Sequence, residues 1–227
     1  MEAGQSLEQP ATKLRLLVVD DHEVIAQNLA FVLEAEGMEA SCLIPDSLAD
    51  VANRADEYLP DIVLLDLDLG AAVGSAVPII EPLSEAGNTV VMLTGVQDRF
   101  QLGMCLEAGA VGIVDKAAPM DDVFAAVELA AAAVPALDEA KRHQLLTELR
   151  ARREEDRARL ARFAMLTPKE EAVLIALCDG KSATEYAEEA FVSVFTVRGH
   201  IRSILAKLGV GSQLAAVALA RTTGWLP

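Results

Sequence analysis

At 227 residues, with 52% apolar content and a formal net charge of −16, the chain can fill two buried cores but is too acidic to bind nucleic acid along its whole length. The acidity is uneven: residues 1–135 carry net −18, residues 136–165 net +2, and residues 166–227 net zero. A membrane span is excluded, since the longest alanine-rich stretch, 123–137, is interrupted by Glu128 and Pro135.

The opening MEAGQSLEQPATK has no apolar core, so a loose tail over 1–13 is expected rather than a signal peptide. Short apolar runs then alternate with segments of helical period, the pattern of an α/β domain with parallel strands and crossover helices. Strands are predicted over 14–19, 39–43, 61–65, 89–93 and 111–114. Val24, Ile25, Leu29, Val32 and Leu33 recur at three- and four-residue spacing, which predicts the first helix, with Gly37 as its stop. Further helices are predicted over 46–57, 75–86, 97–108 and 120–133, with Gly87 and Gly109 preceding the fourth and fifth strands and Pro119 opening the last helix. The expected fold is a doubly wound, five-stranded parallel sheet over 14–136. Cys42, Cys105 and Cys178 are far apart and odd in number, so they are expected to be small apolar residues in a reducing cytoplasm rather than metal ligands or a disulfide framework.

Each apolar run ends on a polar residue: LRLLVV on Asp20-Asp21, IVLL on Asp66, VVML on Thr94 and VGIV on Asp115-Lys116. In an open parallel sheet the carboxyl ends of the strands share one edge, where ligands bind, so these positions should converge. Three carboxylates suit a hard divalent cation with oxygen ligands, and a hydroxyl and an ammonium suit the oxygens of a phosphoryl group.

Residues 137–165 are predicted to be a helical linker. Asp138 to Arg142, Glu148 to Arg152 and Glu155 to Arg159 are acid-to-base pairs at four-residue spacing. Leu146, Leu149, Leu160 and Phe163 could line one seam, interrupted by Arg153 and Asp156, so a semi-rigid connector is expected. Over 166–227 four short helices are separated by caps: Thr167-Pro168-Lys169-Glu170 and Ser182 with Glu185 read as capping boxes, Gly180 ends a helix, and Ser193 and Ser212 open the last two. Helices joined by the turn at Ala190 to Val192 read as a helix-turn-helix. After Glu189 there is no acidic residue, and Arg198 and Arg202 lie one turn apart on the face opposite Val197, Ile201, Ile204, Leu205 and Leu208. Arginine can read guanine in the major groove or bind phosphate.

VVDDHE at 18–23, IVLLDLDLG at 62–70, VMLTG at 91–95 and VDKAAP at 114–119 together resemble the receiver domain of two-component response regulators. That resemblance implies that Asp66 is the phosphoacceptor, that Mg²⁺ is held by Asp20, Asp21, Asp66 and the backbone carbonyl of Asp68, and that Thr94 and Lys116 contact the phosphoryl group. Two positions depart from the pattern. Ile113 stands where an aromatic switch residue is usual, and Gly70 where proline is frequent. IVLLDLDLG also resembles the DxD motif of haloacid-dehalogenase-type phosphatases, but there the DxD comes first and the acidic pair last, whereas here Asp20-Asp21 precede Asp66. Turnover catalysis is therefore not expected.

Residues 166–213, above all TVRGHIRSILAKLGV, resemble the LuxR-type helix-turn-helix of NarL/FixJ response regulators. By that resemblance Thr196, Arg198, Gly199 and Arg202 bind DNA, Lys207 and Ser182 approach the phosphate backbone, and helix 212–223 offers a dimer surface. Lys181, Tyr186 and Gln213 depart from the usual residues. The expected protein is a cytoplasmic transcription factor, phosphorylated by a histidine kinase. It would bind promoter duplex DNA as a homodimer, with RNA polymerase as a further partner and no membrane association. The alternative is a phosphorylation-independent receiver on the same DNA binder.

Overall fold

Strands that are apolar on both faces are satisfied only where helices cover both sides of a sheet. Here β1 (Arg15–Val19), β2 (Glu39–Leu43), β3 (Ile62–Leu65), β4 (Thr89–Thr94) and β5 (Gly112–Asp115) form one parallel sheet in the order β2-β1-β3-β4-β5. The computed structural model describes residues 13–225, so the tail expected over 1–13 lies, Lys13 apart, outside the described residues. Between and after the strands run α1 (Glu23–Ala35), α2 (Leu48–Tyr58), α3 (Gly70–Val73), α4 (Val77–Glu85), α5 (Arg99–Glu107) and α6 (Met120–Ala131). The short α3 was not foreseen; with only four residues it shows no period to read.

Alternation along the strands divides the core in two. Leu17, Val19, Val63, Leu65, Val90 and Met92 pack against α2, α4 and α5 through Val51, Ala55, Ile80, Leu83 and Cys105. Leu16, Val18, Ile62, Leu64, Val91 and Leu93 pack against α1 and α6 through Ala26, Leu29, Leu33, Val123 and Val127. The sheet is thus doubly wound. Because the chain leaves β2 on one side of β1 and returns as β3 on the other, the carboxyl ends of β1 and β3 flank the crevice where strand order reverses. The three cysteines are free: Cys105 and Cys178 are buried, Cys42 half-buried, and burial pushes the Cys105 thiol up to about 11. Among the described residues no single helix is long and apolar enough to cross a membrane.

The helix expected over 137–163 is present as α7 (Glu139–Phe163), but it is not a free connector. The chain divides into two compact units, one ending at Leu149 and the other beginning at Arg150, so α7 is shared between them. In the first unit Leu145 and Leu149 are fully buried, and Gly103 of α5 lies so close that a β-carbon there would stand 3.0 Å from the Leu145 carbonyl oxygen. The predicted pairing along α7 needs correction for the same reason. Glu148 binds Arg99 in two hydrogen bonds of 2.6 and 3.0 Å instead of pairing with Arg152, because this face docks on α5. Arg142 donates to the Ala110 carbonyl, Arg152 turns to Asp156, and only Arg159 keeps its expected partner, Glu155, at 3.7 Å. Leu160, assigned to the seam, is exposed.

In the second unit α8 (Pro168–Cys178), α9 (Ala183–Glu189), α10 (Val194–Leu208) and α11 (Gln213–Thr222) enclose Val173, Leu174, Ala187, Val197, Ile201, Ile204, Leu208, Ala216 and Ala220. Both capping boxes form: Thr167 with Glu170, and Ser182 with Glu185. Phe163 of α7 completes this core and stacks on Trp225 with ring centroids 4.9 Å apart.

Candidate functional site

The backbone ladder carries the polar residues to the sheet edge. The Asp20 amide donates to the Leu43 carbonyl, the Asp66 amide to the Val19 carbonyl, and the Lys116 amide to the Thr94 carbonyl, so each continues the register of its strand by one residue. Asp20, Asp66 and Thr94 are only 1%, 4% and 3% exposed. Lys116 Nζ lies 2.6 Å from Asp20 Oδ2 and 2.7 Å from Asp66 Oδ2. Ligand atoms of Asp20, Asp21, His22 and Asp66 all lie within 4.8 Å of one another. His22 was not singled out from the sequence. Its amide donates to Asp20 Oδ1 at 2.9 Å, and its Nδ1 lies 2.7 Å from Asp21 Oδ1. The signal for it was its place directly after the acidic pair, at the cap position of α1.

Electrostatics at this edge are unbalanced. Burial raises the Asp66 carboxyl above its ordinary value, more than the Lys116 hydrogen bond and charge lower it. Burial also works against the Lys116 ammonium, but the Asp20 and Asp66 carboxylates together outweigh it and raise the pKa. The Asp21 charge, followed by the Asp20 hydrogen bond, raises the His22 imidazole. Asp20 Oδ2 and Asp21 Oδ1 are buried, and among the described residues they face Lys116 Nζ at 2.6 Å and the His22 ring at 2.7 Å, in ion-pair rather than hydrogen-bond geometry. Buried carboxylate oxygens in that state are expensive unless a cation completes them. Three clustered carboxylates form the all-oxygen donor set that Mg²⁺ takes.

The loops close the site in ways the sequence left open. Thr94 Oγ1 accepts from the Val96 amide at 3.0 Å, which leaves its hydroxyl proton free to donate elsewhere. Gln97 Nε2 ties the same loop to Asp115 at 3.1 Å. Ile113 is half-buried beside Met92, its β4 neighbour in register. The Asp68 side chain is exposed, and its Oδ1 accepts from the Gly70 amide. At Gly70 φ is +79°, which proline cannot adopt, and a β-carbon would stand 2.8 Å from Asp21 Oδ2. Gly70→Ala is therefore expected to lower stability by about 1–2 kcal/mol and to weaken divalent-cation binding by displacing Asp21. Thermal unfolding with and without Mg²⁺ checks both.

In the second unit Arg198, Gly199 and Arg202 of α10 are exposed, while Val197, Ile201, Ile204 and Leu208 are buried. The face expected to be basic and open is therefore open. The sequence matches the response regulator receiver domain family over residues 16–128 and the luxR family of bacterial regulatory proteins over 164–220. It is 30% identical over 210 residues to the transcriptional regulatory protein LiaR of Bacillus subtilis (strain 168), covering 91% of this chain and 96% of that protein. The chain belongs to the NarL/FixJ family of response regulators. The oxygen regulatory protein NreC of Staphylococcus aureus is 26% identical over 203 residues, 88% of this chain and 93% of its own. The fold is also that of the RcsB response regulator of Salmonella typhimurium, with a TM-score of 0.52 at 19% identity over 93% of this chain and all of that one.

Against the pattern of this family, three of the residues expected at DNA are engaged within the domain itself. Lys207 Nζ lies 2.6 Å from Glu170 Oε2, a carboxylate that is 4% exposed, so its charge is committed to an internal pair. The Ser182 hydroxyl accepts from the Glu185 amide as a cap, and the Thr196 hydroxyl lies 2.8 Å from Ser193 Oγ. Lys207 in particular supports the fold rather than offering a free cation. Lys181, unusual for the family, has a local partner in Glu189 at 2.5 Å, and Tyr186 packs partly into the core.

Proposed function

We propose that Asp66 accepts a phosphoryl group from a histidine kinase, with Mg²⁺ held by Asp20, Asp21 and Asp66 and completed by the Asp68 carbonyl. The added charge would control binding of promoter duplex DNA through α10. The observation that carries this reading is the Asp20–Lys116–Asp66 bridge, with an Asp21 carboxylate oxygen within 4.8 Å of those of Asp20 and Asp66. In the transfer, an Asp66 carboxylate oxygen forms the bond to phosphorus while the P–N bond of a phosphohistidine breaks and its electron pair leaves on the imidazole nitrogen. Mg²⁺, when bound, neutralises the acidic cluster and the charge of the transferring group. Lys116 supplies a second cation for a phosphoryl oxygen, and the Thr94 hydroxyl has a proton to donate to another. Turning that hydroxyl away from the Val96 amide would move the loop that leads into α5.

The test is incubation of the full chain with Mg²⁺ and a small phosphodonor. One phosphoryl group per chain is expected, and chelation of the metal should prevent its addition. Incorporation that is indifferent to chelation would reject the metal assignment. Family membership makes the chain a DNA-binding transcriptional regulator, and RcsB, of the same fold, is described in complex with DNA. For α10 as the reading helix, Arg198→Ala with Arg202→Ala is expected to weaken binding to a target duplex by about tenfold per residue and to flatten its salt dependence. Unchanged binding would send the search to another surface.

One observation favours a second reading, in which the receiver works without phosphate: Ile113 provides no aromatic ring to follow Thr94. Beryllofluoride, a phosphoryl mimic, separates the two. A change in dimerisation or DNA affinity supports the phosphate switch, and no change supports the phosphate-independent module.

A further inference from the structure

Helices α8, α9 and α10 end in the same way. After each, the chain turns through one residue with positive φ, and the next amide bonds back to the last turn: Lys181 to the Ala176 carbonyl, Val192 to the Ala187 carbonyl, and Val210 to the Leu205 carbonyl. Such an ending favours glycine, because a β-carbon is strained there. Two of the three have it, Gly180 at φ +85° and Gly209 at φ +68°, but after α9 the residue is Phe191 at φ +54°. Phe191 is also 97% exposed, so the domain gains no core from a side chain that strains its own backbone.

Phe195, in the first turn of α10, is 85% exposed. The spacing of Phe195, Arg198, Gly199 and Arg202 is that of one helix face, opposite the buried Val197, Ile201, Ile204 and Leu208. Phe195 therefore extends the face that carries the two arginines, and Phe191 is exposed in the turn four residues before it. An apolar surface in this setting does not suit a second apolar protein surface, which would have to bury the arginines unpaired. The major groove of DNA suits both chemistries, since phosphates and guanine edges take arginine and the thymine C5-methyl takes an apolar side chain. The first turn of a recognition helix is the part that reaches base edges.

We infer that Phe195, supported by Phe191, packs on thymine methyl groups and sets a sequence preference beside the positions read by Arg198 and Arg202. The inference rests on α10 being the DNA-reading helix. The experiment has two parts. The full chain first selects duplexes from a random-sequence pool, and the selected duplex is then remade with each thymine replaced in turn by deoxyuridine, which removes only the methyl. Wild type is expected to lose about three- to fivefold in affinity at one or more thymines, the worth of one buried methyl-sized group. Phe195→Ala should show no such loss, while its salt dependence, set by the arginines, stays that of wild type.

Phe191→Gly provides the control for folding. It should unfold at the same or a higher temperature than wild type because backbone strain is relieved, yet bind the selected duplex more weakly. Indifference of wild type to every deoxyuridine, or the same loss in wild type and Phe195→Ala, overturns the inference but leaves DNA binding intact. A chain that enriches no sequence and binds no duplex rejects the DNA-binding reading and this inference with it.

Discussion

Asp66→Asn is expected to abolish phosphoryl incorporation while leaving the fold intact. The amide keeps the shape of the carboxylate but offers no anionic oxygen to attack phosphorus. The substitution also removes a charge that burial already disfavours, since the Asp66 carboxyl is held above its ordinary value. Lys116 retains Asp20 at 2.6 Å, so the ammonium is not stranded. Unfolding temperature should therefore hold or rise, whereas Asp66→Ala would open a gap beside Lys116 and Asp20. Intact-mass measurement after incubation with Mg²⁺ and a phosphodonor checks the result. Asp66→Asn protein that still gains one phosphoryl group would move the acceptor elsewhere, with Asp20 and Asp21 as the nearest candidates. A useful companion is Lys116→Met. It leaves two buried carboxylates without their cation, so unlike Asp66→Asn it should destabilise the first unit, and added Mg²⁺ should restore much of the loss.

The sheet and its polar edge were legible because strand and site obey local rules. An apolar run such as IVLL ends where the strand ends, and the next residue, Asp66, must stand at the edge. The same rule carried Asp20, Thr94 and Lys116 to that edge from three other segments. What stayed hidden were partners chosen by packing. Glu148 has Arg152 one turn away but binds Arg99, 49 residues distant, because Leu145 and Leu149 bury that face of α7 against α5. Lys207 reads as a basic residue on a DNA-binding helix, yet lies at the end of α10 where Glu170 of α8 is within reach. His22 is polar and next to two acids, which by itself signals only a solvated cap. Phe191 and Phe195 were illegible for the opposite reason: apolar residues are assumed to be buried, and only the structure reveals that these two are not.

Glu170→Ala is expected to destabilise the second unit by about 3 kcal/mol or more, the scale for breaking a buried ion pair from one side. Glu170 Oε2 accepts from the Thr167 amide at 2.7 Å, the Thr167 hydroxyl at 2.9 Å and Lys207 Nζ at 2.6 Å. It therefore closes the capping box of α8 and anchors α10 at once. Burial alone would raise this carboxyl, but hydrogen bonds from Lys207, Ser203 and Thr167 reverse that and hold it at about 2, down from 4.5. A depressed carboxyl contributes stability that is fully present above its unfolded value and is lost as pH falls through the folded one. The loss should thus develop between 4.5 and about 2. Trp225, the only tryptophan, stacks on Phe163 in this unit, so its fluorescence follows the unfolding of this unit in the full chain. The pH dependence in that window should be shallower in Glu170→Gln than in wild type, whatever the other carboxylates contribute. Equal slopes would remove Glu170 as the cause. Lys207→Met completes the test: as half of this pair it should cost stability on a similar scale yet leave the salt dependence of DNA binding nearly unchanged, whereas a phosphate-binding Lys207 would do the reverse.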